Sequence, residues 1–355
     1  MNTTKFTKTG LIILCLLLTN LAKAQSFKDT TIFFYKYIAS GEMGVSTADS
    51  ADYFKILCPP QREASFFDVY EYYKNGAVKF VGKADKRFAN LINGNVKLDG
   101  ACISYFQSGK RESIVNYSLY GKDGDEYQYY PDGKPYKTIK NSINYLYHTS
   151  VEKLQDCYDI NGNAICRKGD GHWLEYDREF KIILAEGQVK NGLKHGPWKG
   201  KYISPFTKDT INYVSFYSGG DFKSGLGYDK EGKSYPFKEP VTWAISRSGP
   251  ISFVDNFKSY LKLPKSYKES IDTLHISFVV EKDGSFSKPE LKEQTLTPEQ
   301  KTAFEEAINS CHKWEPSKLY GVPYRTQVVL PVKASKGFIN YRYTQEIWFQ
   351  RKIIL

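Results

Sequence analysis

Apolar and polar side chains alternate over residues 273–281. Leu274, Ile276, Phe278 and Val280 fall on one face and Thr273, His275 and Ser277 on the other, which predicts a strand. Asp283-Gly284 follows and predicts a two-residue hairpin, because both central residues of a type I′ turn need positive φ. The return strand, 285–292, then sets Phe286 opposite Glu281; Pro289 cannot donate to a ladder and predicts a bulge or an edge. A helix comes next. Thr297 can cap it, Pro298 suits its first position, and Gln300 closes a capping box. Ala303, Phe304, Ala307, Ile308 and Cys311 recur at helical spacing as one buried stripe, and Trp314 and Pro316 end the helix. Residues 324–332 supply a third strand. Upstream, Phe253, Phe257, Tyr260 and Leu261 predict a short helix before Leu263-Pro264. Residues 253–332 therefore read as one βαβ-type unit, a small sheet with a helix on one face.

Residues 26–240 alternate aromatic with polar positions and repeat. Segment 99–110 aligns with 123–134 at an offset of 24, matching Gly100 with Gly124, Phe106 with Tyr130, and Gly109 with Gly133. An earlier copy covers 72–79, a later pair covers 171–176 and 196–202, and a last copy covers 228–233. Each unit turns at Asn-Gly, Asp-Gly, Ser-Gly or Glu-Gly, which predicts β-hairpins. A lone hairpin cannot bury its aromatic face, so successive hairpins must stack into an elongated sheet.

Two resemblances follow from these residues. Phe-Val-Val-Glu-Lys-Asp-Gly-Ser (278–285), Lys-Trp-Glu-Pro (313–316), Gly-Val-Pro (321–323) and Val-Val-Leu-Pro-Val (328–332) occur in the order and spacing of the C-terminal domain of TonB-type energy transducers, which this region resembles. The resemblance implies an antiparallel sheet packed with a helix. It also implies that the domain binds an extended segment of an outer-membrane transporter, or another envelope protein, by strand addition, with main-chain hydrogen bonds giving affinity. The partner-binding edge would be Tyr324, Arg325, Thr326, Gln327, Val328, Val329 and Leu330. The repeats resemble the MORN family in its bacterial variant form. Val-Lys-Asn-Gly-Leu-Lys-His-Gly-Pro-Trp (189–198) is the nearest match, and copies are eroded around 111–120 and 141–152. Two departures stand against a literal energy transducer, the lack of a secure inner-membrane anchor and of a long proline-rich spacer. A further segment, 336–355, alternates Phe338, Tyr341, Tyr343, Trp348 and Phe349 and is a candidate extra strand. Paired with 324–332, it would occupy the binding edge.

Lys5 and Lys8 precede the apolar run 11–18, and Ala22-Lys23-Ala24 precedes Gln25. This predicts a secretory signal peptide over residues 1–24 and places the protein in the periplasm or cell envelope; an uncleaved anchor is the alternative. Removing Lys5, Lys8 and Lys23 lowers the net charge from +11 to +8. The remaining lysines are interleaved with acids instead of forming a stripe, which argues against nucleic acid.

Candidate chemistry is sparse. Cys157 and Cys166 are symmetric about Asn161-Gly162, so a two-residue turn sets them opposite each other at a non-hydrogen-bonded pair, with Cα atoms about 4.5 Å apart. That predicts a disulfide in an oxidising compartment, with two buried thiols as the alternative. Cys58, Cys102 and Cys311 make the mature number odd. His148, His172, His195, His275 and His312 include no pair at metal-ligand spacing. No GxSxG elbow, P-loop or dinucleotide fingerprint occurs. Asp123, Asp125 and Glu126 belong to a glycine turn, and Asp49 and Asp52 to a polar loop. The reading is of no enzyme, with no catalytic residue, cofactor, metal or small-molecule substrate. A carbohydrate-binding or hydrolytic variant would need a cleft lined by Trp173 and Trp198. The expected fold is mainly β with a small α+β domain. Stacked hairpins fill 26–240, a link runs near 236–250, and a TonB C-terminal-like domain fills 245–335. The expected role is an envelope protein-binding module; the alternative is a repeat scaffold capped by the terminal domain.

Overall fold

The structure, a computed structural model, describes residues 30–38, 41–60, 64–204, 209–246, 249, 253, 256, 257, 259, 273–291, 298–333 and 350–353. The signal-peptide segment, Thr297, Tyr260 to Pro264 and the aromatic positions from Phe338 to Phe349 lie outside these residues. The chain forms two compact units, one of Met1–Gly196 with Ser218–Asp221, the other of Pro197–Tyr217 with Phe222–Leu355.

The first unit is an antiparallel meander, as the repeated alternation predicts. Its strands are β1 (Thr31–Ile38), β2 (Gly41–Val45), β3 (Tyr53–Cys58), β4 (Phe66–Tyr73), β5 (Val78–Asp85), β6 (Leu98–Tyr105), β7 (Arg111–Ser118), β8 (Gly121–Lys122), β9 (Gly124–Tyr129), β10 (Pro135–Asn144), β11 (Thr149–Tyr158), β12 (Ala164–Arg167), β13 (Asp170–Tyr176) and β14 (Ile183–Lys190). β1 pairs with β2 and β3, and from β3 to β7 each strand pairs with the next. β7 pairs with both β8 and β9, after which β9 to β14 pair consecutively.

Tyrosines tie one repeat to the next. Tyr73 opens one turn and donates its hydroxyl to the Tyr105 carbonyl, beside the following turn, at 2.8 Å. Tyr130 does the same to the Tyr158 carbonyl at 2.8 Å. Tyr130, Tyr136, Tyr176 and Phe180 form one ring cluster with centroids 5.1–5.9 Å apart. Phenylalanine could supply the apolar area of these tyrosines but not the hydroxyl that answers a neighbouring carbonyl.

The turns correct one expectation. At Asn161-Gly162 and Asp283-Gly284 only the glycine has positive φ, 93° and 84°. The amide of Gly162 donates to the Asp159 carbonyl, and that of Asp159 to the Asn163 carbonyl, both at 2.9 Å. This is a type I turn closed by a bulged left-handed glycine, a three-residue loop. The same pair of bonds recurs at Tyr73, Phe106, Tyr130, Asp229 and Glu281. In these two loops only the glycine enters the left-handed region, where an L side chain costs about 1–2 kcal/mol. Asp159 and Asp283 accept bonds from the amides two residues on, which holds the loop. Two-residue loops with both φ positive do occur, at Asn191-Gly192 and Tyr320-Gly321.

The second unit starts within β15 (Leu193–Ile203). It continues through β16 (Thr210–Ser218), β17 (Asp221–Tyr228), β18 (Ser234–Phe237), β19 (Val241–Thr242), β20 (Thr273–Val280), β21 (Phe286–Leu291), a helix over Pro298–Asn309, β22 (Ser317–Leu319), β23 (Val322–Tyr324), β24 (Thr326–Lys333) and β25 (Gln350–Ile353). One sheet has the order β19-β22-β23 and another β21-β20-β24-β25. The helix lies in sequence between β21 and β24, but β20 separates those strands and every pairing is antiparallel, so the unit is not a parallel βαβ crossover. Phe286 faces Val280, not Glu281. The register slips between Ser277 and Val279 opposite the Pro289 stretch, and β21 is an edge, as the proline predicts. The helix ends at Asn309, before Cys311. Its Phe304, Ala307 and Ile308 pack with Phe253, Phe257, Phe278, Trp314 and Val328 in one core.

Residues 236–250 are more than a link. Ala244 is fully buried and its amide donates to Ser317 Oγ at 2.7 Å, while Ile245 bridges to Glu315. Tyr320, at the tip of the β22–β23 hairpin, stacks on Tyr213 of β16 with ring centroids 3.9 Å apart and planes 4° apart. Its amide donates to the Pro240 carbonyl at 2.6 Å, and its carbonyl lies where a Cβ on Gly227 would stand, 1.9 Å away. The last hairpins and the terminal domain are thus one body, where the sequence suggested a boundary near 240–245. Tyr320→Ala is expected to destabilise this unit by roughly 2–4 kcal/mol in urea unfolding, with Tyr320→Phe within about 1 kcal/mol of the parent. Equal losses from both substitutions would assign the effect to the hydroxyl instead of the stack.

Candidate partner-binding edge

β24 holds the predicted edge residues from Thr326 onward; Tyr324 ends β23 and Arg325 joins the two strands. Alternation is clear. Tyr324, Thr326, Val328 and Leu330 are buried, at 2% exposure or less, while Arg325, Gln327 and Val329 are half-buried on the other face. The second face is held by polar contacts. Arg325 donates from Nε and Nη2 to the two carboxylate oxygens of Glu281 at 2.7 and 2.8 Å, and Gln327 Nε2 donates to Ser277 Oγ at 2.9 Å. Ser287 also donates to Glu281. Ser277 and Val279 are buried, so β20 is covered on both faces over 277–280, where alternation alone predicts one.

Both sides of β24 carry a strand. On one side β20 pairs through eight positions, from Thr273↔Lys333 to Val280↔Thr326. On the other, β25 pairs with Thr326, Gln327, Val328 and Val329 through Ile353, Lys352, Arg351 and Gln350. Residues 350–353 thus form a strand beside β24 and, among the described residues, pair with four of the seven expected edge residues. The described strand lies beyond the aromatic positions that announced it. Its residues, Gln350, Arg351, Lys352 and Ile353, show no apolar alternation and pair through backbone. Only the general rule that open edges are covered could have found it.

Arg325, through its hydrogen bonds to Glu281, holds that carboxyl below its ordinary range; Lys313, 2.8 Å from Asp283, lowers the neighbouring carboxyl as well. Gly284 keeps the turn under Trp314. Its carbonyl accepts from the Trp314 amide at 3.0 Å, and an added Cβ would meet the Trp314 carbonyl at 2.0 Å. Trp314 packs edge-on against Phe253, Phe278 and Phe286. The Lys-Trp-Glu-Pro and Asp-Gly motifs therefore meet in one joint behind the edge.

Other residues singled out by sequence do not assemble into a site. Among the described residues no group of three His, Cys, Asp or Glu side chains could hold a metal. His172 lies 3.2 Å from Glu186, and Glu126 is buried against Lys122, Gln128 and Asn141. Trp198 is only 1% exposed and cannot line an open cleft. Cys157 and Cys166 do face each other, but by another route than the one expected. The three-residue loop removes the count that put them at a non-hydrogen-bonded pair, and a slip between Cys157 and Tyr158 restores the pairing. Both are thiols in this structure. No helix among the described residues is long and apolar enough to cross a membrane.

No family model and no curated protein matches the chain.

Acid is expected to loosen the joint behind the edge. Glu281 has a lowered folded value, so its contribution is fully present above the ordinary glutamate range, about 4.3, and is lost as pH falls through the depressed value. Glu281→Gln should lower stability at pH 7 and flatten its loss below about pH 4, so that variant and parent converge in acid, followed by urea unfolding with circular dichroism at each pH. An unchanged acid limb would show that the Arg325 pair carries no pH-dependent stability.

Proposed function

We propose that the protein is an exported binding module of the bacterial cell envelope, similar to the TonB energy-transducer C-terminal domain, that takes an extended segment of a protein partner along β24. An outer-membrane transporter is the partner class the resemblance implies. The observation that carries the reading is the asymmetry of the two pairings among the described residues, eight positions to β20 and four to β25. The described cover makes fewer ladder pairings than β20, so it is the weaker partner and can be exchanged for a longer incoming strand. The stacked hairpins then serve as a rigid carrier. Transport itself would belong to the partner.

A second reading is favoured by the same strand. If β25 is a permanent cover, the edge is closed and the protein is a repeat scaffold of the periplasm with no energy-coupling role.

Peptide binding separates the two. A panel of peptides copied from the extended periplasmic segments of the host's outer-membrane transporters would be titrated calorimetrically into the full chain and into a chain lacking 350–355. The binding reading expects at least one peptide to bind the shortened chain more tightly, by roughly tenfold or about 1.4 kcal/mol, and a peptide with methylated backbone amides to fail. Absence of binding to both chains would leave the scaffold.

A further inference from the structure

Cys157 and Cys166 lie at directly paired positions on β11 and β12 and are 0% and 2% exposed; the Cys157 thiol donates to the His172 carbonyl at 3.1 Å and the Cys166 thiol to the Gln155 carbonyl at 3.7 Å. Directly opposed strand residues have Cα atoms about 4.5–5.5 Å apart, inside the range a disulfide spans. The other described cysteines have no such arrangement. Cys58 pairs with Asp68, Cys102 with Val115, and Cys311 donates to the Ala307 carbonyl one helical turn back.

The strand that carries Cys166 is the easier one to open. β12 has four residues and pairs at only two positions on each side, Cys157↔Cys166 and Tyr158↔Ala164 toward β11, and Cys166↔Gly171 and Arg167↔Asp170 toward β13. β11 has ten residues and pairs with β10 over eight positions, so Cys157 is held by a long ladder. Gly171 packs so closely on this strand that a Cβ there would meet the Ile165 carbonyl at 2.4 Å and Cys166 Cα at 2.7 Å. The pair thus joins one anchored thiol to one on a short, separable strand.

We propose that Cys157 and Cys166 form a redox-active dithiol site in which Cys166 reacts first with an external disulfide and Cys157 resolves it. The short strand of Cys166 favours this order, and the proximity of the two thiols acts in the same sense, lowering that of Cys166 and raising that of Cys157. In the first step the Cys166 thiolate attacks one sulfur of the incoming disulfide; that S–S bond breaks, a mixed disulfide forms, and one thiolate leaves. In the second step Cys157 loses its proton to the departing sulfur and attacks Cys166 Sγ. The mixed disulfide breaks, the Cys157–Cys166 bond forms and a second thiol leaves. Two cysteines are oxidised and one disulfide is reduced to two thiols. The closed bond would fasten β12 to the β10–β11 ladder. The proposal does not depend on partner binding at β24.

Glutathione disulfide is the probe. The full folded chain would be incubated with it, denatured in acid, alkylated and digested with trypsin. Both cysteines lie in the single tryptic peptide 154–167, which contains no internal Lys or Arg. The expected product is that peptide lighter by two hydrogens and free of alkyl groups. Recovery of the peptide doubly alkylated, or cross-linked to Cys58, Cys102 or Cys311, would overturn the proposal. Cys157→Ser should trap glutathione on Cys166, whereas Cys166→Ser should leave Cys157 unmodified; the opposite pattern would overturn the assigned order. The wild-type peptide decides the existence of the site even if either variant fails to fold.

Discussion

A strand edge exposes backbone donors and acceptors that must find partners, and each antiparallel hairpin leaves such an edge together with one aromatic face. In the first unit the next hairpin answers both demands. Its strand completes the ladder, and tyrosines such as Tyr73 and Tyr130 carry a hydroxyl across to the carbonyl beside the following turn. In the terminal domain β24 would be left with the same unanswered edge, and β25 covers part of it. The architecture and the proposed function thus turn on one constraint, how each edge is closed and how firmly.

Much of this was legible in the sequence, because alternation and glycine turns report local backbone demands. The 24-residue repeat appears as equivalent turns at Phe106 and Tyr130, and Pro289 sits on an edge strand with a register slip, as its missing donor requires. Turn class was not legible. Asn-Gly and Asp-Gly suit both a two-residue type I′ loop and a type I loop with a bulged glycine, and backbone φ alone separates them. The pairing of Cys157 with Cys166 was reached only because two deviations from the expected ladder cancel.

The seam within the second unit was hidden for a different reason. Tyr213 and Tyr320 are far apart in sequence, and neither position carries a local pattern that announces their stack. Tyr320 also takes a positive φ of 49°, a conformation a tyrosine avoids unless its surroundings impose it. The stack and the hydrogen bond to Pro240 supply that surrounding. At the candidate edge, the position of β24 followed from its apolar run, but the pairing of β25 did not. A strand that contributes only backbone bonds leaves little trace in side-chain pattern.

The closure of β24 is open to direct measurement by amide hydrogen exchange on the full chain. Within Thr326, Gln327, Val328 and Val329, amides pointing toward β25 should exchange much faster than those pointing toward β20, through a local opening that leaves the rest of the sheet intact. Equal, slow exchange on both sides, lost only with global unfolding, would mean a permanently sealed edge and would contradict strand addition as the protein's mode of binding.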